Sequence, residues 1–497
     1  MTRTAEPVVV TASGKVRGRW RGEPGQRGAS ASFLGIPFAQ APVGELRFAA
    51  PVAPEPWKGI RDAIEYAPTA QRGDPGITLI PEPSIPGDST LNVNVFTPAP
   101  GDGPAKLPVL VYIHGGGFIA GSPASPWYDG RAFNRDGIVT VTISYRLGFD
   151  GFGQIAGAPS NRGVRDWLAA LEWVQENIGA FGGDPGRVTI AGQSAGGGAV
   201  LTLLGMPKAQ HLFHAVWALS SAIGDVPAER ARTLSAKLAN LAGVAPTRDG
   251  FASVPEDRLR ELQEKAAASD PGNPLAGIQS LLTEGLPWGP AIDGDLLTRP
   301  TLESLRAGVG GDKPLVLGAT DDEFTMATDG AKNKLRFIPA GFAVGRLLPD
   351  RFARKAYLDA NIPQRRKGTA AVLGRFVTDA IFRSTVVRVA DARADAPTWV
   401  YRFSWPSPTM TWALHCLDVP FWFDCLSADG VTAIAGTHPP RALADAVHGA
   451  AAAFIREGAP GWASWSSAPG VTRVFGGDAS LPGTDADGYA SVRALVA

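Results

Sequence analysis

The chain has 497 residues, and its 47 Lys plus Arg balance its 47 Asp plus Glu, so net charge marks neither nucleic acid nor a membrane as a partner. An apolar share of 44% with 19% charged residues excludes a disordered chain and describes a globular one with a large core. No stretch approaches the roughly eighteen apolar residues of a membrane span, and residues 1–7 lack the apolar segment of a secretion signal, so a soluble cytoplasmic protein is expected. Two cysteines, Cys416 and Cys425, are too few for a disulfide framework and are expected as buried thiols.

Residues 8–50 read as short strands separated by glycine and proline turns, an antiparallel edge preceding the main sheet. Residues 66–88 are irregular and rich in Pro and Gly, suited to a loop over a pocket, and 92–97 resume as a strand. From 107 the pattern becomes strand, helix, strand. The runs 107–113 and 137–145 are nearly continuously apolar, as strands buried on both faces are. Apolar residues at 164, 167, 168, 171, 174 and 178 have helical spacing, with Asn161 as the expected N-cap and Gly182 and Gly183 closing the far end. A strand at 188–192, a helix at 195–205 and a strand at 215–219 follow. Residues 225–310 read as a helical cap or side insertion. Strands return at 314–318 and 398–403, then an alanine-rich helix at 441–456 and a last strand at 471–475. With no internal repeat and no clear linker, this is one elaborated α/β domain with a mainly parallel central sheet.

Three stretches carry chemistry. Ser194 sits between Gly192 and Gly196 in a G-x-S-x-G spacing that ends the strand 188–192. A serine on a sharp strand-to-helix turn needs small neighbours because the two backbones pass close together. In a chain with 60 glycines this spacing is weak evidence by itself. The second stretch, 114–118, reads His-Gly-Gly-Gly-Phe after a buried strand; its unhindered N–H groups suit an oxyanion, the alternative being a phosphate loop, for which no G-x-G-x-x-G or Lys-Ser pair speaks. A serine also needs a base, and the base a carboxylate. Among six histidines, His415 is the best base candidate, being on a loop among aromatic residues. Asp321, Asp322 and Glu323 follow the strand 314–318, where open α/β sheets place their sites, and each is open as the acid.

Together these stretches resemble the type-B carboxylesterase family, which includes bacterial para-nitrobenzyl esterases. The likeness runs from residue 8 to residue 475. It rests on 33–48, 91–98, 114–118, 144–148, 161–163, 181–185, 192–197, 318–323 and the segment holding His415, Asp418, Pro420 and Phe423. The resemblance implies an α/β-hydrolase fold and a triad of Ser194, Glu323 and His415. It also implies oxyanion donors at the N–H groups of Gly116, Gly117 and Ala195, and a small-molecule carboxylic ester as substrate, with short-chain acyl or aryl groups. It requires no cofactor and no metal, and a monomer is expected. Rival readings are a lipase, amidase or carbamate hydrolase on the same triad, or a non-catalytic binding module. The last is disfavoured because every triad position is filled. Phe118, Trp127, Trp288, Phe324, Met326 and Trp412 flank the catalytic stretches and are expected to line an apolar pocket. The chain departs from the family in four places. Gln193 replaces a glutamate before the serine, and Phe324 replaces a glycine after the acid. The family's early cysteine is absent near Ser89, and Gly87 stands for a glutamate that would pair with Arg47.

Overall fold

The computed structural model describes residues 6–73, 76, 79–101, 103–268, 274–476 and 483–496. Its centre is an eleven-stranded sheet in the spatial order Arg19–Arg21, Ser30–Pro37, Asn92–Thr97, Val139–Ile143, Leu107–Ile113, Gly183–Gln193, Ala215–Leu219, Leu315–Thr320, Thr398–Phe403, Thr472–Phe475 and Gly483–Asp485. Every neighbouring pair from Val139–Ile143 to Thr472–Phe475 is parallel, and pairs beyond either end are antiparallel. The mainly parallel sheet with an antiparallel N-terminal edge is as expected. The antiparallel strand at the other edge, Gly-Thr-Asp, is too short and carries no apolar residue, so the sequence gives no signal for it.

Alternation explains why both faces are covered. Along Leu107–Ile113, Val109, Val111 and Ile113 enter one apolar cluster, whereas Leu110 and Tyr112 enter the other. Successive strand residues point to opposite faces, so a continuous apolar run feeds two cores at once. Helices Arg162–Asn177 and Ala195–Leu204 cover the first of these, and Arg441–Glu457 the second.

Three expectations need correction. Val8–Thr11 belongs to a separate three-stranded sheet with Gly14–Arg17 and Ile60–Asp62, not to the main edge. The strand that ends in Gln193 begins at Gly183, not at 188. Leu107 pairs with Gly183 and Val109 with Val188, so the intervening Asp-Pro-Gly turn bulges out of the ladder. Asn161 stands before its helix with φ 55° but does not cap it. Its side chain instead donates to the Ala291 carbonyl and to Asp293, each at 2.7 Å, and accepts from the Ala291 N–H at 2.7 Å. A local cap has given way to a tether across 130 residues.

Residues 225–310 contribute the helices Ala228–Ala242, Arg248–Ala252, Glu256–Ala267, Pro274–Glu284 and Thr301–Arg306. A second helical excursion runs from Thr325 to Ala392, where the sequence reading named no element. No helix among the described residues is long and apolar enough to cross a membrane.

Candidate active site

The strand Gly183–Gln193 stops at Ser194, which holds φ 59° and ψ −121° before the helix Ala195–Leu204 begins. A side chain in that region costs of order 1–3 kcal/mol and persists only where the surroundings enforce it. They do so here. A Cβ on Gly192 would stand 2.3 Å from the Gly196 carbonyl oxygen, and one on Gly196 would stand 2.0 Å from that of Ile113. The Ser194 N–H donates to the Leu219 carbonyl at 2.9 Å, fixing the turn to the next strand. Among the described residues the Ser194 hydroxyl makes no hydrogen bond.

The three acidic residues after Leu315–Thr320 have distinct partners. Arg402 grips Asp321 through two N–H groups at 2.9 and 2.7 Å, and Arg375 pairs with Asp322 at 2.9 Å. Only Glu323, fully buried, faces a histidine: its Oε1 accepts from the Thr320 N–H at 2.8 Å and its Oε2 meets Nδ1 of His415. Two backbone bonds hold the loops together, His415 N–H to the Glu323 carbonyl at 3.0 Å and Asp322 N–H to the Ala413 carbonyl at 2.9 Å. Burial disfavours the imidazolium, yet the Cys416 thiol and the Glu323 carboxylate outweigh it and push His415 well above the usual 6.5. Behind this pair, burial and the Glu323 charge raise Asp418 to about 7, and the Tyr401 hydroxyl donates to it at 3.1 Å.

The other ring nitrogen, Nε2 of His415, lies 3.2 Å from the side-chain amide nitrogen of Gln193. With a proton on Nδ1 facing Glu323, Nε2 of the neutral ring presents its lone pair to that amide. A glutamate would offer an acceptor and a charge at the same place; Gln193 offers a donor and none. The rings of Phe324 and Phe382 lie against His415 with centroids at 5.1 and 5.0 Å. Phe382 went unnoticed in the sequence; it lies in a π-helical turn, Asp379–Arg383, for which residue patterns give no signal.

The glycine loop faces the same point. Gly116 and Gly117 have φ values of 97° and 62°, and a Cβ on Gly115 would stand 3.2 Å from Cβ of Ser194. Among the described residues the Gly116 and Gly117 N–H groups donate to no protein acceptor, and that of Ala195, first in its helix, has no partner within it. Preceding His114 is fully enclosed and stacked on Tyr145 with centroids 4.5 Å apart; burial lowers it to about 4.

Ser194, Gln193 and His415 line a cavity of about 1380 Å³. Of the six expected pocket aromatics and methionine, Trp288, Phe324 and Met326 line it. Phe118, Trp127 and Trp412 do not. Phe118 is turned into the core against Phe152 and Trp167, where a gap beside Gly224 and Gly198 receives it. Trp127 is fully buried and donates to the Asp429 carbonyl at 2.8 Å, and Trp412 donates to Asp329 at 2.7 Å. Loop position alone does not separate a ring aimed into a cavity from one anchored behind it. Glu82, also in the lining, has a buried oxygen with no partner, and burial raises it to about 8.

Cys416 and Cys425 are both free thiols, Cys416 buried and Cys425 half-buried. Arg47, deprived of a glutamate at position 87, pairs with Asp150 at 2.9 Å, while Gly87 accepts from Arg72 at 3.0 Å.

The pattern of the carboxylesterase family matches residues 5–471. The chain is 32% identical over 476 residues to a para-nitrobenzyl esterase of Bacillus subtilis, a match covering 91% of this chain and 90% of that one. It is 32% identical over 457 residues to a phenmedipham hydrolase of Pseudarthrobacter oxydans, with 86% of each covered. Among solved structures, carboxylesterase EST55 of Geobacillus stearothermophilus superposes with a TM-score of 0.82 at 32% identity, over 99% of this chain and 100% of that one. The α/β-hydrolase sheet, the serine turn with its facing glycine loop, and similarity over nearly the full length agree: this chain belongs to the carboxylesterase family.

Proposed function

We propose that this chain hydrolyses carboxylic esters with Ser194 as nucleophile, His415 as base and Glu323 as the acid that holds it. The observation that carries this reading is the buried Glu323–His415 contact on the wall of the cavity into which Ser194 opens. Ser194 Oγ attacks the ester carbonyl while His415 Nε2 takes its proton. Glu323 keeps the ring oriented and balances the imidazolium. The N–H groups of Gly116, Gly117 and Ala195 receive the oxyanion; one such donor is commonly worth about 3–4 kcal/mol of barrier. The protonated ring gives its proton to the departing alcohol, and water repeats the sequence on the acyl-enzyme.

When the His415 ring is neutral, the Gln193 amide occupies the lone pair of Nε2, so the serine hydroxyl replaces that donor as the substrate docks. Trp288, Phe324, Met326 and Phe382 make the walls near the triad largely apolar, which favours acyl or aryl groups. Leu259, Gln263 and Leu281, from the stretch 225–310, also line the cavity and support a cap role for that insertion within one elaborated domain. Two unpaired cysteines support a reducing compartment, the cytoplasm, and a monomer completes the reading. The test is labelling by an organophosphate, followed by hydrolysis rates for a chain-length series of p-nitrophenyl esters beside amide and carbamate analogues. Labelling of Ser194, with esters turned over in preference to amides, is the expected result. Ester turnover without Ser194 labelling refutes it.

A further inference from the structure

Helices Lys332–Leu335, Ala340–Gly345, Arg351–Ala360 and Ile362–Lys367 form an outer layer beside the buried helix Thr369–Thr378. Its inward side is a small apolar cluster of Val344, Tyr357, Val372, Leu373 and Phe376. Its outward side is unusual: Phe337, Phe342 and Phe352 are 77%, 60% and 68% exposed, the three exposed aromatic rings among the described residues. Helical geometry explains the direction. At about 100° per residue, Phe342 lies about 160° around the helix from buried Val344, and Phe352 about 140° from buried Tyr357.

Charge is segregated onto the same layer. Residues 332–367 hold ten Lys and Arg against two Asp, in a protein whose totals are 47 and 47. Asp359 is paired with Lys355 and Arg365. Among the described residues, Lys332, Lys334, Arg336, Arg346, Arg351 and Arg366 have no carboxylate partner. Three of these guanidinium groups lie over the exposed rings, Arg336 on Phe337 at 4.5 Å, Arg346 on Phe342 at 5.2 Å and Arg351 on Phe352 at 4.6 Å. Aromatic rings alternating with flexible cations match an interface whose outer layer is anionic and whose next layer is hydrocarbon. A second copy of the chain fits poorly, because a two-fold contact would set this cationic layer against itself.

We propose that this face docks the protein on the surface of an anionic phospholipid bilayer, the three phenylalanines entering the interface and the unpaired cations meeting lipid phosphates. Each cation near such a surface contributes roughly fivefold to partitioning, and the attraction weakens as salt rises. The test is co-sedimentation of the full chain with vesicles of phosphatidylcholine alone and of phosphatidylcholine mixed with phosphatidylglycerol. The protein is expected on the mixed vesicles and not on the neutral ones, with release by salt. Substituting Phe337→Ser, Phe342→Ser and Phe352→Ser together is expected to lower partitioning by about tenfold or more, while hydrolysis of a soluble ester stays at the parental rate and reports an intact fold. Equal binding to both vesicle types overturns the proposal. So does undiminished binding by the triple variant, which would mark a general polyanion site, or a concentration-dependent dimer that the triple variant abolishes.

Discussion

Replacing Gln193 with glutamate puts a charge where a neutral amide now meets the His415 imidazole, the base of the proposed mechanism. The amide nitrogen is 3.2 Å from His415 Nε2, so a carboxylate there would have its charge about 4 Å from the ring. At an effective dielectric of about 20 that separation corresponds to about 4 kcal/mol favouring the imidazolium, an upper bound. Desolvation of the new carboxylate in a buried site offsets much of this, leaving a rise of roughly one to two pKa units at about 1.4 kcal/mol each. The sign follows from the mechanism. The base acts as neutral imidazole, so activity is present above its pKa and lost as pH falls through it. A higher pKa therefore moves the acid limb of kcat/KM toward alkaline pH. Contributors common to both proteins are Glu323, Cys416 and Asp418, which are unchanged by the substitution. The assay is pH-stat titration of acid released from a neutral ester, so that substrate ionisation does not enter. Gln193→Ala serves as the control that removes the donor without adding charge, and its limb is expected to move far less. An acid limb in Gln193→Glu that stays in place or moves toward acid would refute the electrostatic role assigned to this position.

Ser194→Ala is expected to lower turnover by several orders of magnitude with an unchanged circular dichroism spectrum; near-parental hydrolysis would remove the serine from the mechanism. Phe324→Gly takes a ring from the cavity wall and is expected to shift kcat/KM several-fold toward longer acyl chains, whereas Trp127→Phe, behind the wall, is expected to leave the chain-length profile unchanged. Matching profiles for the two variants would contradict the placement of these rings. Asn161→Ala strands the buried Ala291 carbonyl and N–H that it now satisfies. A loss of about 2–3 kcal/mol in urea unfolding is expected, and an unchanged midpoint would show that water replaces the tether.

How much of this was legible in the chain varies by physical cause. Where one interaction is local, the residues sufficed. Leu107–Ile113 and Ala215–Leu219 are strands because both faces demand apolar side chains, and Ser194 is on a tight turn because Gly192 and Gly196 alone leave room for it. The charge on 332–367 was also in the letters, but a net charge of zero hid it, since a sum carries no position. Asn161 reads as a cap in the sequence but tethers Ala291 in the fold, because a local cap and a distant carbonyl compete for one amide and only packing decides between them.

The sequence by itself determined the buried parallel centre of the sheet, the order of its chemistry-bearing loops, and three adjacent carboxylates after one strand. Tertiary structure decided which partner each of the three meets. Arg402 and Arg375, from other parts of the chain, neutralise Asp321 and Asp322 and leave Glu323 to face His415. Folding likewise aimed Phe382 at the imidazole and turned Phe118, Trp127 and Trp412 away from the cavity, because a ring's direction depends on the space left by residues far along the chain. It also brought the Gln193 amide to the lone pair of His415, a contact across 222 positions that no local pattern encodes.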